Sequence, residues 1–229
     1  MKTIGSSSVA AILGISPWAT PMSVWADLVG LTERTDNSSA ATRRGQMMEG
    51  AIRDEHARVK GVTITAGPKY EDDPNVAPAP FDFAHCREDG SYMDDDGIVT
   101  VVEIKTARSF DDWGDDGSAE IPAYYAAQVA WQMGILALRG AHVQGTDVVA
   151  FCPMTDEMRT YHVPYNAEQF REMLAVVGDW YKAHVIGNTP PPVDGSEATR
   201  KVLAKLYPGG IEKVVIDATS ADVNDKQII

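Results

Sequence analysis

Residues 89–105 have the sequence DGSYMDDDGIVTVVEIK. The Asp96-Gly97 pair lies between two short apolar runs, which is a strong signal for a β-hairpin. Alternate side chains of a strand share one face, so Val101, Glu103 and Lys105 are expected to project together. A carboxylate and an ammonium group on an apolar strand are costly to bury unless they pair or bind something. We therefore predict a hairpin that brings Asp89, at its start, close to Glu103.

Helical and strand patterns surround this hairpin. Helices are predicted over residues 9–14, 22–29, 43–60, 122–139 and 166–187, the first capped by Ser6–Ser8. Strands are predicted at 62–65, 81–86, 147–153 and 158–163, and the proline-rich stretch 66–80 is predicted to be a loop. This order is typical of a mixed α/β (α+β) domain with helices packed on a central sheet.

The last part of the chain is set apart by a Pro/Gly-rich linker at residues 189–195. We place one domain over residues 1–193 and a C-terminal tail of unknown role over 194–229. Within the tail, residues 197–207 are predicted to form a helix and Val214–Ile216 a short strand.

Composition limits the classes of protein that fit. The 229 residues carry a net charge of −13, and the two cysteines cannot form a disulfide framework or a four-thiolate metal site. The sequence has no apolar stretch of membrane-spanning length and no signal-peptide core, so a cytoplasmic protein without a membrane partner is expected. The five histidines show no zinc-type spacing. Trp18 and Trp25 are predicted to lie in the core, with an approach of Trp18 to DNA as the alternative.

The acidic charge is concentrated. Residues 88–120 hold 11 acidic side chains against only Lys105 and Arg108, whereas residues 34–60 hold six basic side chains against four acidic ones. The overall acidity argues against a protein that coats nucleic acid generally. Local contacts to a DNA backbone can still form through the basic segment, with Arg43, Arg44 and Arg53 as the candidates.

Asp89, Glu103 and Lys105 match the PD-x(n)-(D/E)-x-K pattern of nucleases. Carboxylate oxygens suit Mg²⁺, which keeps several waters and binds phosphate oxygen. Lys105 would orient or help deprotonate the attacking water. Glu49, in a predicted helix, and Gln128, a polar amide in an apolar helix, extend the set. The alternatives are an exposed helix acid for Glu49 and a structural core amide for Gln128.

These motifs, in this order, resemble the YqaJ-like viral recombinase or phage lambda exonuclease family of the PD-(D/E)xK superfamily. The resemblance covers residues 4–193 and begins with Gly5–Gly14, GSSSVAAILG, followed by Ser16-Pro17-Trp18. Glu88 and Ser8 depart from the family pattern, which usually has proline and aspartate at these positions.

The resemblance implies a restriction-endonuclease-like central mixed sheet flanked by helices. It also implies that Mg²⁺, or Mn²⁺ as its substitute, is held by Asp89, Glu103 and the backbone carbonyl of Ile104, with Glu49 acting through water. Lys105 and Gln128 would hold the nucleophile. Ser7 matches a hydroxyl placed to meet a DNA phosphate.

The implied activity is 5′→3′ exonucleolytic digestion of linear double-stranded DNA. The 3′ single strands would serve phage-type recombination with a single-strand annealing protein, in the cytoplasm of a bacterial host of a phage or prophage. A homo-oligomeric ring, such as a trimer, would enclose the duplex. Two alternatives stay open: an endonuclease of the restriction or repair type, and a catalytically inactive DNA-mimic or binding module, for which Lys105 would have no use.

Overall fold

The computed structural model describes residues 3–32, 39–69 and 73–206. The helices are α1 Ser6–Ile12, α2 Pro21–Val29, α3 Ala40–Lys60, α4 Ala123–Leu138, α5 Ala167–Trp180 and α6 Glu197–Leu206. The strands are β1 Ile4–Gly5, β2 Thr65–Ala66, β3 Asn75–Val76, β4 Ala84–Cys86, β5 Gly90–Met93, β6 Val99–Thr106, β7 Val143–Cys152 and β8 Glu157–Pro164. A π-helical turn, Tyr181–Ile186, extends α5.

A five-stranded mixed sheet in the order β2-β5-β6-β7-β8 forms the centre of the fold. The predicted hairpin is confirmed, with Gly90 opposite Val102 in the antiparallel β5–β6 pair. Strand β6 runs parallel to β7, and α4 forms the crossover between them, as a parallel connection requires. A second, three-stranded sheet has the order β1-β4-β3.

Helices cover both faces of the central sheet. Val101 packs on the α4 side with Val129 and Met133, whereas Val102 and Ile104 pack on the α3 side with Ile52. Helix α4 also packs against α1 and α5, which explains why almost every face of it is apolar. The prediction of a mixed α/β sheet flanked by helices is confirmed.

Several local predictions need correction. The serines at 6–8 lie inside α1, whose N-cap is the extended residue Gly5, so the predicted hydroxyl cap is wrong. Helix α3 begins at Ala40, because the Ser39 side chain caps it by accepting a hydrogen bond from the Thr42 amide. The predicted loop at 66–80 contains the short strand β3, which pairs with β4. Trp25 is buried as predicted, but Trp18 is 65% exposed.

In the C-terminal region, helix α6 packs on the N-terminal helix α2. The hydroxyls of Thr20 and Thr199 share a hydrogen bond of 3.0 Å, and Val202 lies in a cluster with Met22 and Trp25. The boundary at residue 193 therefore falls before a helix that contacts the main body, and the division into domain and tail stays a prediction. The predicted strand Val214–Ile216 lies outside the described residues. Among the helices that the structure describes, none combines the length and apolarity needed to cross a bilayer.

Candidate active site

The centre of the site is Glu103, near the end of β6. Its side chain is buried, and its Oε1 accepts hydrogen bonds from Lys105 Nζ and, at 2.6 Å, from Gln128 Nε2. Lys105 Nζ also donates to Gln128 Oε1 at 3.1 Å. The two-residue spacing on one strand and the facing helix α4 thus bring a carboxylate, an ammonium group and an amide into one connected network.

A second side-chain amide, that of Gln132, also donates a hydrogen bond to Glu103. Gln132 is fully buried on α4, and its Nε2 donates to Glu103 Oε2 at 2.7 Å and to the Arg87 carbonyl at 3.0 Å. Gln132 is not among the site residues predicted from the sequence, although the sequence carries a signal for it. It lies one helical turn after Gln128 and so shares its face.

Asp89 enters the site from the start of the hairpin. Its Oδ2 accepts a hydrogen bond of 2.7 Å from the Ile104 amide, beyond the point where the β5–β6 ladder ends at Val102. The N–H and C=O of one strand residue point to the same edge, so the Ile104 carbonyl faces the edge at which Asp89 lies. The next residue, Gly90, lets the segment 64–65 pack closely on this hairpin, because a Cβ there would come within 2.8 Å of Ile64 Cγ2 and 3.0 Å of the Thr65 carbonyl oxygen.

Helix α3 brings Glu49 and Arg53 close to Asp89. Arg53 Nη1 lies 3.5 Å from Glu49 Oε1 and donates to the Asp89 carbonyl oxygen at 3.0 Å. The guanidinium group is thus bound to the hairpin that carries Asp89. The sequence predicts a DNA contact for Arg53; its observed contacts hold α3 against this hairpin, and the DNA contact stays a prediction.

The remaining predicted DNA contacts are more peripheral. Arg43 and Arg44 are exposed in the first two turns of α3, upstream of Glu49 on the same helix. Ser7 is exposed on α1 and lines a neighbouring cleft that also contains Arg87 and Gln128. Gln128 lines this neighbouring cleft and is hydrogen-bonded to Glu103 and Lys105, which line the cleft of the carboxylates.

Negative charge is crowded at this site. Burial, repulsion from Glu103 and repulsion from Glu49 raise the pKa of Asp89 well above its usual value, although Lys105 and the Ile104 amide act in the other direction. Burial also raises the pKa of Glu49, despite attraction to Arg53. Burial disfavours the charge on Lys105, but attraction to Glu103 and Asp89 outweighs it and raises the lysine pKa.

This donor set fits a divalent cation bound mainly through water. Among residues 3–32, 39–69 and 73–206, no group of three or more His, Cys, Asp or Glu side chains is placed to enclose a metal ion. Mg²⁺ does not need such a cage, since it usually takes one or two carboxylates and keeps several waters. Asp89 and Glu103 supply two carboxylates with excess negative charge, and the Ile104 carbonyl faces the same edge.

Together, the sheet topology and the Asp…Glu-x-Lys constellation define a protein of the restriction-endonuclease-like fold. More particularly, the chain belongs to the YqaJ-like viral recombinase family, whose domain model matches residues 1–148. The resemblance inferred from the sequence motifs is confirmed.

One relative supports the family assignment, and solved structures support the fold. The chain is 25% identical over 224 residues to the uncharacterized protein YqaJ of Bacillus subtilis (strain 168), covering 96% of this chain but only 65% of that protein's length. Its fold is similar to an alkaline exonuclease, LHK-Exo, from Laribacter hongkongensis, with a TM-score of 0.59 and 16% identity over 81% of this chain and 89% of the other. The complex of LHK-Exo with dAMP gives a TM-score of 0.51 at 17% identity, covering 82% and 95% of the two chains. A crystal structure of SSO0001 gives a TM-score of 0.52 at 14% identity, covering 88% of this chain and 85% of the other.

Replacing Asp89 by Asn is expected to stabilise the metal-free protein while removing a candidate metal ligand. A carboxyl group whose pKa is raised by folding adds stability below its unfolded pKa, near 3.9, and that stability is lost as pH rises through the folded value. Asparagine cannot ionise and can still accept the Ile104 hydrogen bond. At neutral pH in EDTA, the variant should melt about 2–4 °C higher, which corresponds to roughly 1 kcal/mol in a chain of this size.

Thermal unfolding of both proteins across pH measures this effect. The difference should shrink as the buffer is acidified and vanish below about pH 4, where both side chains are neutral. A variant that is no more stable than the wild type at any pH would contradict the account of crowded charge.

Proposed function

We propose that this protein is a Mg²⁺-dependent exonuclease that degrades one strand of linear double-stranded DNA in the 5′→3′ direction. The observation that carries the proposal is that Lys105, Gln128 and Gln132 hold Glu103 in place. Asp89 lies beside it, where the β5–β6 pairing has ended. Three donors hold one buried carboxylate in a single orientation. Such a preorganised acid beside a lysine and a second carboxylate suits phosphodiester hydrolysis.

In this proposal Asp89, Glu103 and the Ile104 carbonyl hold the metal ion, with Glu49 acting through water. Mg²⁺ is the proposed ion and Mn²⁺ a substitute for it. When bound, the ion polarises the scissile phosphate and offsets the charge that develops on its oxygens. Arg53 is a positioning residue, because it joins Glu49 on α3 to the backbone at Asp89.

Lys105 orients the attacking water in this scheme. Its raised pKa keeps the ammonium group charged at neutral pH, so it donates hydrogen bonds rather than acting as the base. Gln128 bridges Lys105 and Glu103 and thus fixes their separation. Ser7, Arg43 and Arg44 would contact phosphates on either side of the cleavage point.

The family suggests the wider biological role. We propose that the 3′ single strands serve recombination through a single-strand annealing protein, within a bacterial host cell and for a phage or prophage. A ring of identical subunits, such as a trimer, would keep the enzyme on its duplex. The net charge of −13 favours such enclosure, because an acidic surface holds DNA weakly on its own.

Digestion of DNA with different ends tests the proposal. Purified protein with Mg²⁺ should release the label early from 5′-labelled linear duplex and late from 3′-labelled duplex, and should leave covalently closed circles intact. Cleavage of the circles would instead indicate an endonuclease. Intact linear DNA, under conditions in which calorimetry shows bound metal, would favour the inactive DNA-mimic or binding module.

A further inference from the structure

Aromatic side chains form one wall of the cleft that contains the carboxylates. Four residues contribute: Trp18, Trp113, Tyr124 and Tyr125. The Trp18 ring centroid lies 4.8 Å from that of Tyr124 and 6.2 Å from that of Tyr125. Trp113 packs on the other side of Tyr125, with the two centroids 5.5 Å apart. The wall is therefore continuous from the rim of the cleft into its interior.

This aromatic wall reaches Lys105. The lysine Nζ lies 4.8 Å from the centroid of the Tyr125 ring. Asp89, Glu103 and Lys105 line the same cleft, which has a volume of about 820 Å³. A ligand with its phosphate at the carboxylates would thus have aromatic rings beside it.

Trp18 is unusual within this wall, because a side chain with so large an apolar surface is 65% exposed. Its position is nevertheless fixed. Ser16 Oγ accepts hydrogen bonds of 3.2 Å from the amides of Trp18 and Ala19, and the Tyr124 ring meets the indole at 77°, nearly edge to face. The turn thus fixes the backbone of Trp18, and the indole contacts the Tyr124 and Tyr125 rings with most of its surface open to the cleft and solvent.

We propose that Trp18 stacks on a nucleobase of the DNA strand whose phosphate lies at Asp89 and Glu103. This inference rests on the proposed function and adds a base-binding subsite to it. A flat exposed aromatic surface beside a phosphate-processing site matches the two halves of a nucleotide. Stacking is tolerant of sequence because every base has a π-face, which suits an enzyme that must accept each nucleotide in turn.

Substrates with and without a base test the stacking directly. We compare duplexes whose 5′-terminal nucleotide is either intact or an abasic sugar phosphate. The wild-type KM should rise about 10-fold with the abasic end, as expected for one lost base–aromatic stack. Trp18→Ala should show a similar rise on intact DNA and no further rise on the abasic substrate. Trp18→Phe should be intermediate, and Met154→Ala, at another exposed apolar side chain, should behave as wild type.

A binding measurement separates this proposal from the proposed function. Anisotropy of a labelled, 5′-phosphorylated oligothymidylate is recorded with Ca²⁺ in place of Mg²⁺, against the same strand with abasic positions. Suppose that no DNA is cleaved in the digestions with Mg²⁺, but that the affinity measured with Ca²⁺ depends on both Trp18 and the base. The exonuclease assignment then fails while the stacking subsite stands.

Two results would overturn the stacking subsite. One is wild-type affinity and KM that are indifferent to the base. The other is a Trp18→Ala protein that remains as sensitive to the base as the wild type. That result would indicate that the exposed indole contacts a protein partner and not a base. If Trp18→Ala fails to fold, the Trp18→Phe variant and the wild-type response to abasic DNA still decide the matter.

Discussion

Replacing Lys105 by Met is expected to lower the rate of DNA hydrolysis by about 10²–10³-fold, the range for loss of one preorganised hydrogen-bond donor at the reacting groups. The change removes the ammonium group that donates to Glu103 and Gln128 but keeps most of the apolar stem. The attacking water then loses its orienting donor, and Glu103 loses its nearest positive charge. Single-turnover cleavage of linear duplex with Mg²⁺ measures the loss in the chemical step.

Folding and DNA binding should survive this substitution. Gln128 and Gln132 still donate to Glu103, so the buried carboxylate keeps two of its three hydrogen-bond donors. Lys182→Met is the matched control, since that lysine pairs with Asp179 at the surface, where both side chains are largely exposed. If Lys105→Met retains wild-type activity, the nucleophile is activated by another group and the proposed role of Lys105 is wrong.

The second large effect concerns stability and lies outside the cleft. Asp147 on β7 is fully buried, and four side chains bind its carboxylate. Lys60 Nζ donates at 2.6 Å and Tyr92 Oη at 2.8 Å, while His162 Nδ1 and His56 Nε2 lie at 2.8 and 3.2 Å. These partners come from α3, β5 and β8, so this single carboxylate ties α3 to three strands of the sheet.

Asp147→Ala is expected to lower the free energy of unfolding by about 3–5 kcal/mol, the usual cost of removing one partner from a buried ionic pair. The buried His56 and the half-buried Lys60 and Tyr92 would lose their common acceptor. Urea unfolding measures the change, with Asp179→Ala as the exposed control. A loss below about 1 kcal/mol would place the Asp147 network among the weak surface ion pairs.

The pH dependence of stability gives an independent test of the same network. Burial alone would raise the pKa of Asp147, but hydrogen bonds from His56, Lys60, His162 and Tyr92 hold it well below its usual value. A depressed folded pKa adds stability above the unfolded pKa, near 3.9, and that stability is lost as pH falls through the folded value. The wild type should therefore lose more stability than Asp147→Asn when acidified below about pH 4. Parallel curves would contradict this assignment.

Local patterns along the chain determine a large part of the site. The Asp-Gly turn and the alternation on β6 place Glu103 and Lys105 on one face and bring Asp89 to them. Gln128 stands out because an amide in an apolar helix needs partners, and the structure supplies Glu103 and Lys105. The positions of these side chains are predictable because strand period, turn chemistry and the cost of unpaired polar groups act over a few residues.

Other features have no comparable local signal. The sequence favours a core position for Trp18 over an approach to DNA, yet the side chain is largely exposed and packs on Tyr124, more than 100 residues later. The DNA contact of Arg53 stays a prediction, whereas the hydrogen bond from its guanidinium group to the Asp89 carbonyl oxygen has no local signal in the sequence. Nothing in the local sequence distinguishes Asp147 from any other acidic residue at the start of a predicted strand. Its four hydrogen-bond partners come from three distant segments of the chain.

The sequence by itself therefore determined the class of fold, the family and the carboxylate–lysine pair, since each is encoded by neighbours along the chain. Only the tertiary structure decided how these groups are held: the second amide on Glu103, the link from Arg53 to the hairpin, the Asp147 network and the open aromatic wall. The physical reason is that hydrogen bonding and burial depend on which segments meet across the sheet. That meeting is fixed by packing of the whole core rather than by the pattern of any one segment.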